Sequence, residues 1–434
     1  MINILILLIT FLSLFFSQSI SAQLPNDPLI VHGHAHFDVT GSHMTITNTP
    51  NTILNWQNFS IGSHDSVYFQ QQDTASQVLN RVTGNDPSHI LGNLSSNGQV
   101  WLVNPYGVLF GPNARIDVAG LVASTLDISN IDFLANRHQF YTSNHVGEVR
   151  NQGEIRTTLG GRVWLMGDQV SNEGLIQTPT GQAVLAAGKS IELVDSGAPN
   201  LIVKIKAPEN EVVNLGSLVA SDGGKIDLYG SIVNQAGITR ADSISRDTAG
   251  QIILKADQVL LTDDSQTYAE NGFIQVQSDT VLNSWGKVNA DNINFSAQNI
   301  SQQGQIVTQG GNVSLNATGV TELYGLVDVS NLGGVGGNIH VMTEKLQGTV
   351  GGTLRADGHQ GGHIRVESFQ SATFSSMMTA LGTTQGGHIE VTGDRIFLLN
   401  ADINASGGEQ GGKIHLGGGW QGGGELQHAR EVFI

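Results

Sequence analysis

The sequence predicts an all-β fold, a right-handed parallel β-helix (solenoid) with an N-terminal cap, and three observations carry that prediction. The first is composition. Of 434 residues, 55 are Gly and 9 are Pro, 39% are hydrophobic and only 13% are charged, where about a quarter charged is usual. Low charge with abundant Gly and aliphatic residues fits many short strands joined by tight turns, because Gly supplies turn geometry and strand faces favour β-branched side chains. The second is a repeat. The string Gly-Gly-x-Ile-x-(Val/Leu) stands at residues 336–341, 361–366, 386–391 and 411–416, its second glycines 25 residues apart. Looser copies stand at 310–315, 223–228 and 160–165. The third is alternation: each copy switches between apolar and polar with period two, the mark of a half-buried strand.

A unit this short cannot bury its apolar face alone, so neighbours must stack, one coil per repeat. Roughly 16 coils, one strand spacing apart, predict a rod of about 80 Å. Ile339, Ile364, Ile389 and Ile414 are expected in one inward column and Val341, Val366, Val391 and Leu416 in another, with Ala356 and Ala405 where the coil is narrow. Asn, Gln, Ser and Thr are expected in outward ladders and turns, which accounts for the low charge.

Taken in chain order, residues 4–16 form an apolar run too short to span a bilayer core, which needs roughly 20 residues. The small, polar stretch 17–22 follows, so residues 1–22 read as a signal peptide with Ala22 at the cut. No Lys or Arg precedes the run; the first basic residue is Arg81. Cysteine is absent, which removes disulfides and thiolate chemistry and suits passage through a pore. The net charge of −17 argues against a nucleic-acid partner.

Residues 44–128 carry more specific signals. Asn55, Trp56, Phe59 and Gly62 lie in Ile53-Leu54-Asn55-Trp56-Gln57-Asn58-Phe59-Ser60-Ile61-Gly62, and Asn80 and Gly84 in Leu79-Asn80-Arg81-Val82-Thr83-Gly84. The series continues through Ser88-His89-Ile90-Leu91-Gly92-Asn93-Leu94 and closes on Asn104-Pro105-Tyr106-Gly107-Val108. In this order and spacing the series resembles the secretion domain of the filamentous haemagglutinin family, the exported proteins of two-partner secretion. The resemblance assigns residues 23–270 to a secretion domain and 271–434 to a glycine-rich shaft. It implies secretion or display on the bacterial surface by way of the periplasm, and recognition of the extended chain by a cognate outer-membrane β-barrel transporter. β-Augmentation at a sheet edge is a suitable mode. It also implies Asn55, Trp56, Phe59, Gly62, Asn80, Gly84, Asn104, Pro105, Tyr106 and Gly107 as the secretion motif. Tyr106 stands where the family has Asn; Pro105 still sets φ and Gly107 can still take a positive one, so the turn is expected to survive.

Other functions leave weaker traces. The shaft is expected to serve adhesion to a host or neighbouring-cell glycan or protein; a stalk for a contact-dependent toxin or haemolysin is the alternative. Polysaccharide-acting β-helix enzymes use acidic clusters, for which Asp222, Asp227, Asp263 and Asp264 with Lys225 or Lys255 are candidates, but Asp263 and Asp264 read as a turn and no carboxylate pair can be placed. Gly188-Lys189-Ser190 fails as a phosphate loop because Ala183 stands where the first Gly belongs and the following residues alternate like a strand. No catalytic residue, cofactor or metal is expected. His363 and His388 read as a solvated ladder with an Arg365–Glu390 pair, since a metal needs three or four converging ligands. His32, His34 and His36 alternate with Asp38 on one strand face and leave a metal there an open question. The chain stops on Val432-Phe433-Ile434 without a polar capping coil, which suggests a piece of a longer exported protein.

Overall fold

One column of residues shows how the coils stack. Arg162, Gln182, Lys225, Gln251, Phe273, Asn292, Asn312, Asn338, His363, His388 and Lys413 each lie in parallel register with the one before. Every Gly-Gly copy in the sequence, including the loose ones before Arg162 and Lys225, therefore sits at the same corner of successive coils. The computed structural model from which these pairings are taken describes residues 23–142, 145, 147–195, 201–206, 211–243, 249–348, 352–419, 423 and 426–434. The signal-peptide segment lies outside the described residues.

Each coil has three faces. The first runs from His43–Asn48 to Asp402–Asn404, the second from Thr52–Trp56 to Lys413–Leu416, and the third from Ser88–Ile90 to Glu431–Phe433. Some strands bend round a corner, and Gln266–Ser284 contributes to all three faces. The rod has about 14 turns, or roughly 65 Å at one strand spacing per turn, against the 16 expected. Two segments leave the solenoid, and the N-terminal strands Leu29–His32 and Ala35–Thr40 pair antiparallel with Thr52–Trp56 and His43–Asn48, capping the first coil instead of adding one. The period also drifts. Gln266, Lys287, Gln305 and Leu326 share one register, so those coils are 21, 18 and 21 residues long, and a spacing of 25 holds only over the three steps from Asn338 to Lys413.

The expected ladders are present. Ile339, Ile364 and Ile389 are at most 1% exposed, as are Val341, Val366 and Val391, while Ile414 on the last coil is 41% exposed. The narrow corner explains the glycine signature. Ala356, Ala380 and Ala405 are buried, and their carbonyls accept the amides of Gly362, Gly387 and Gly412 at 2.7, 2.8 and 2.8 Å. At this corner a Cβ on Gly387 would run into the carbonyl of Gly362 in the preceding coil.

Polar ladders lie both outside and inside, which corrects the expectation that they face water. Outside, Asn312 donates to Asn292 and Asn338 donates to Asn312, each at 2.8 Å. Inside, Asn151, Asn172, Asn214 and Gln235 are wholly buried and joined by three side-chain hydrogen bonds of 2.8 Å. Each Asn donates to the coil after it and Gln235 ends the column on the Gly237 carbonyl, so a buried polar column is satisfied along the axis.

The first half of the second face is covered on its outer side as well. The two segments that leave the solenoid form an antiparallel sheet of Asp127–Ile128, His138–Tyr141, Ser190–Asp195 and Leu201–Lys206, with a short helix, Asn130–Leu134, capped by Ser129. Beneath it, Ile53, Leu79, Trp101, Val122, Trp164 and Val184 occupy one outward column and form a second apolar core with Phe133 and Phe140. Strands covered on both faces lose the polar half of their alternation, and Gln182–Ala187 is buried at every position.

Candidate functional site

The residues of the secretion motif converge on the first coils, and most are interior. Trp56, Phe59, Asn80 and Asn104 are all 0% exposed. The Trp56 indole meets Phe37 and Phe59 edge-on, at 5.7 and 5.4 Å between ring centroids, and Phe59 stacks on Phe69. Trp56 Nε1 donates to Asn80 Oδ1 at 3.0 Å, and Asn80 Nδ2 donates to the Trp101 carbonyl at 3.2 Å. Asn80 thus ties three coils together. Asn55 is half-buried, with Oδ1 3.5 Å from Arg81 Nη1. The Gly62 amide donates to the carbonyl of Gln23, whose own amide donates to Asp65, so the start of the described chain is fastened there. Gly84 packs against the Gln57 carbonyl.

Asn104 locks a turn. Its Oδ1 accepts the Tyr106 amide at 3.0 Å, its carbonyl accepts the Gly107 amide at 3.1 Å, and its Nδ2 donates to the Asp86 carbonyl at 2.9 Å and Ser88 Oγ at 3.0 Å. Pro105 occupies the second turn position and Gly107 has φ +126°, as the sequence predicts. Tyr106 points away from these bonds: its hydroxyl donates to Asn85 at 3.0 Å and lies 3.2 Å from His145 Nε2, with the rings 4.3 Å apart. That outward position is why an Asn-to-Tyr difference leaves the turn intact.

Arg81 was in the motif but not among the residues singled out, and it holds the outer cover in place. Its guanidinium donates to Asp127 Oδ1 at 2.9 Å, Asn130 Oδ1 at 2.9 Å and the Ile128 carbonyl at 2.5 Å. Its isolation as the first basic residue of the chain was the signal available in the sequence.

The acidic candidates do not converge. Asp263 and Asp264 are exposed in a turn, Asp222 has φ +57°, and Lys255 is exposed. Asp227 is buried, in the same outward column as Val184, where Gln182 Nε2 donates to it at 2.6 Å. Burial pushes its carboxyl up to about 6, opposed by the Gln182 hydrogen bond and Lys225. The same burial lowers Lys225. Both side chains are buried.

The histidine expectations change. His32, His34 and His36 are exposed, but Gly33, with φ +80°, ends one strand and a new one starts at Ala35. His32 and His36 therefore lie on different strands with His34 between them, so the three do not share one continuous strand face. On the shaft, His340, Arg365, Glu390 and His415 do form one column. Arg365 is 3.9 Å from Glu390 and lies closer to Glu367, however, and Glu390 is only 9% exposed. His363, His388 and Glu390 bring three ligand atoms within 4.8 Å of one another.

A capped parallel solenoid, a covered first half and a motif built into the opening coils define the class: an exported β-solenoid protein whose first half is a secretion module. The profile of the TPS secretion domain matches residues 22–276, and the chain belongs to that family. It is 31% identical over 326 residues to a heme/hemopexin-binding protein of Haemophilus influenzae (strain ATCC 51907 / DSM 11121 / KW20 / Rd), covering 69% of this chain and 35% of that protein. A second Haemophilus influenzae heme/hemopexin-binding protein is 26% identical over 306 residues, covering 61% of this chain and 32% of its own length. The chain thus spans about a third of these relatives. The crystal structure of the HMW1 secretion domain from Haemophilus influenzae covers 90% of this chain and the whole of that one, with 29% identity and a TM-score of 0.61. The chain is a two-partner secretion exoprotein with a β-helix shaft, exported through the periplasm and secreted or surface-displayed, and its secretion domain implies a cognate outer-membrane transporter. Among the described residues no helix is long and apolar enough to cross a membrane.

Proposed function

We propose that the transporter reads the secretion motif in the extended chain, and that the same residues then nucleate the solenoid outside the cell. One observation supports this above the others: Trp56, Phe59, Asn80 and Asn104 are wholly buried once the coils close, so a partner reaching those side chains must meet them before folding. Each later coil buries apolar surface on its predecessor, which opposes backsliding through the pore. A boundary near residue 270, between domain 23–270 and shaft 271–434, falls within the continuous strand Gln266–Ser284; on this reading it marks the end of the covered region in an unbroken rod.

The test is Asn104→Ala. Export into the medium is expected to fall strongly, and the unfolded variant domain to bind the transporter's periplasmic domains more weakly than the unfolded wild type. Unchanged export would overturn the reading. Lost export with undiminished binding of the unfolded variant would assign Asn104 to folding alone.

For the shaft, the reading is adhesion to a cell-surface glycan or protein. Binding of heme or hemopexin is a second reading, favoured by the similarity to two heme/hemopexin-binding proteins. Retention of the purified chain on a hemopexin column, against a glycan array, separates the two.

A further inference from the structure

Three imidazoles and a buried carboxylate meet on the outer second face of the last coils. His363 stacks on His388 with ring centroids 5.1 Å apart, and His388 meets His415 at 5.2 Å. Glu390 Oε2 lies 3.5 Å from His363 Nε2, and its Oε1 lies 3.4 Å from His388 Nε2 and 3.8 Å from His415 Nδ1. His388 Nε2 and His415 Nδ1 are 3.4 Å apart. His363 Nε2 is buried and makes no hydrogen bond. A tetrahedral ion with bonds of about 2.0–2.1 Å sets neighbouring ligand atoms about 3.3–3.4 Å apart, and the 3.4 and 3.5 Å separations of Glu390 from His388 and His363 come near that spacing.

We propose that His363, His388 and Glu390 bind a divalent transition-metal ion of the zinc class and staple two consecutive coils of the shaft. The donor set favours such an ion over calcium or magnesium, which take oxygen ligands. Lys413 follows His388 in the same column on the next coil. Arg365, the other nearby cation, is drawn away toward Glu367. A groove walled by Gln360, Gln385 and Gln410 opens beside His363 and His388 and gives the ion a path in.

The experiment uses the untagged full chain, stripped with chelator and titrated with Zn²⁺ by calorimetry and thermal melting. One ion per chain is expected, with a melting temperature that rises with Zn²⁺ and is unmoved by Mg²⁺ or Ca²⁺. His388→Gln and Glu390→Gln should each weaken binding by about tenfold or more, while His34→Gln leaves it unchanged. Absence of Zn²⁺ binding, or binding unaltered in His388→Gln, would overturn the proposal. If the variants do not fold, the wild type decides alone: Co²⁺ should give the strong visible bands of a tetrahedral site, and weak octahedral bands would contradict it. Binding of hemin but not Zn²⁺ would also overturn it.

Discussion

Trp56 and Asn80 lie on adjacent coils, 24 residues apart in the chain, and the indole N–H of one donates to the side-chain oxygen of the other at 3.0 Å with both fully buried. Asn80 passes the connection on to Trp101. This contact sets the register of the second and third coils against the first, so it belongs to the step at which the solenoid starts. Asn80→Ala strands a buried indole N–H and a buried carbonyl, and should destabilise the purified chain by about 2–4 kcal/mol. Urea unfolding checks it. A loss under about 1 kcal/mol would mean that the contact is incidental.

The corner glycines make a second prediction. Gly387→Ala places a methyl group against the Gly362 carbonyl and must displace one coil from the next. A loss of about 2 kcal/mol or more is expected, against a few tenths for Gly411→Ala, whose added methyl group meets no neighbour. Thermal melting of the two variants side by side checks the contrast, and equal effects would contradict the corner argument.

Asp227 sets a pH dependence. Unfolded, it titrates near 3.8; folded, near 6. The native state therefore holds the proton more tightly, and stability falls as pH rises from about 4 to about 6, then stays lower. Asp227→Asn keeps an acceptor for Gln182 and removes that cost, while depriving the buried Lys225 of its counter-charge. A net gain of roughly 1–2 kcal/mol at pH 7 is expected, with little change at pH 4. Urea midpoints at the two pH values measure it, and a variant less stable than wild type at pH 7 would show that the Lys225 pairing dominates.

The fold class was legible because a physical prohibition wrote it into the chain: a corner where a Cβ would meet the preceding coil's carbonyl favours Gly in most coils, and four strict copies suffice to reveal the stacking. The coil count was not, because the strands of the outer cover alternate like coil strands, and coils such as the one at Phe273 lack the Gly-Gly pair. The buried column of Asn151, Asn172, Asn214 and Gln235 was read as outward, since amide side chains usually face water; only stacking lets each satisfy the next. The secretion motif was legible as a pattern, but its placement in the interior was not. His363, His388 and Glu390 were placed in the right columns. The burial of Glu390 was invisible because it depends on side chains from three coils closing over one carboxylate.

The central claim is that the transporter meets the secretion motif unfolded. The most direct measurement compares binding of the transporter's isolated periplasmic domains to native secretion domain and to the same domain freshly diluted from urea, before it refolds. The account predicts binding to the unfolded chain, competition between binding and refolding, and no measurable binding to the native solenoid. Equal affinity for the native solenoid would contradict it, since Trp56, Asn80 and Asn104 are then out of reach.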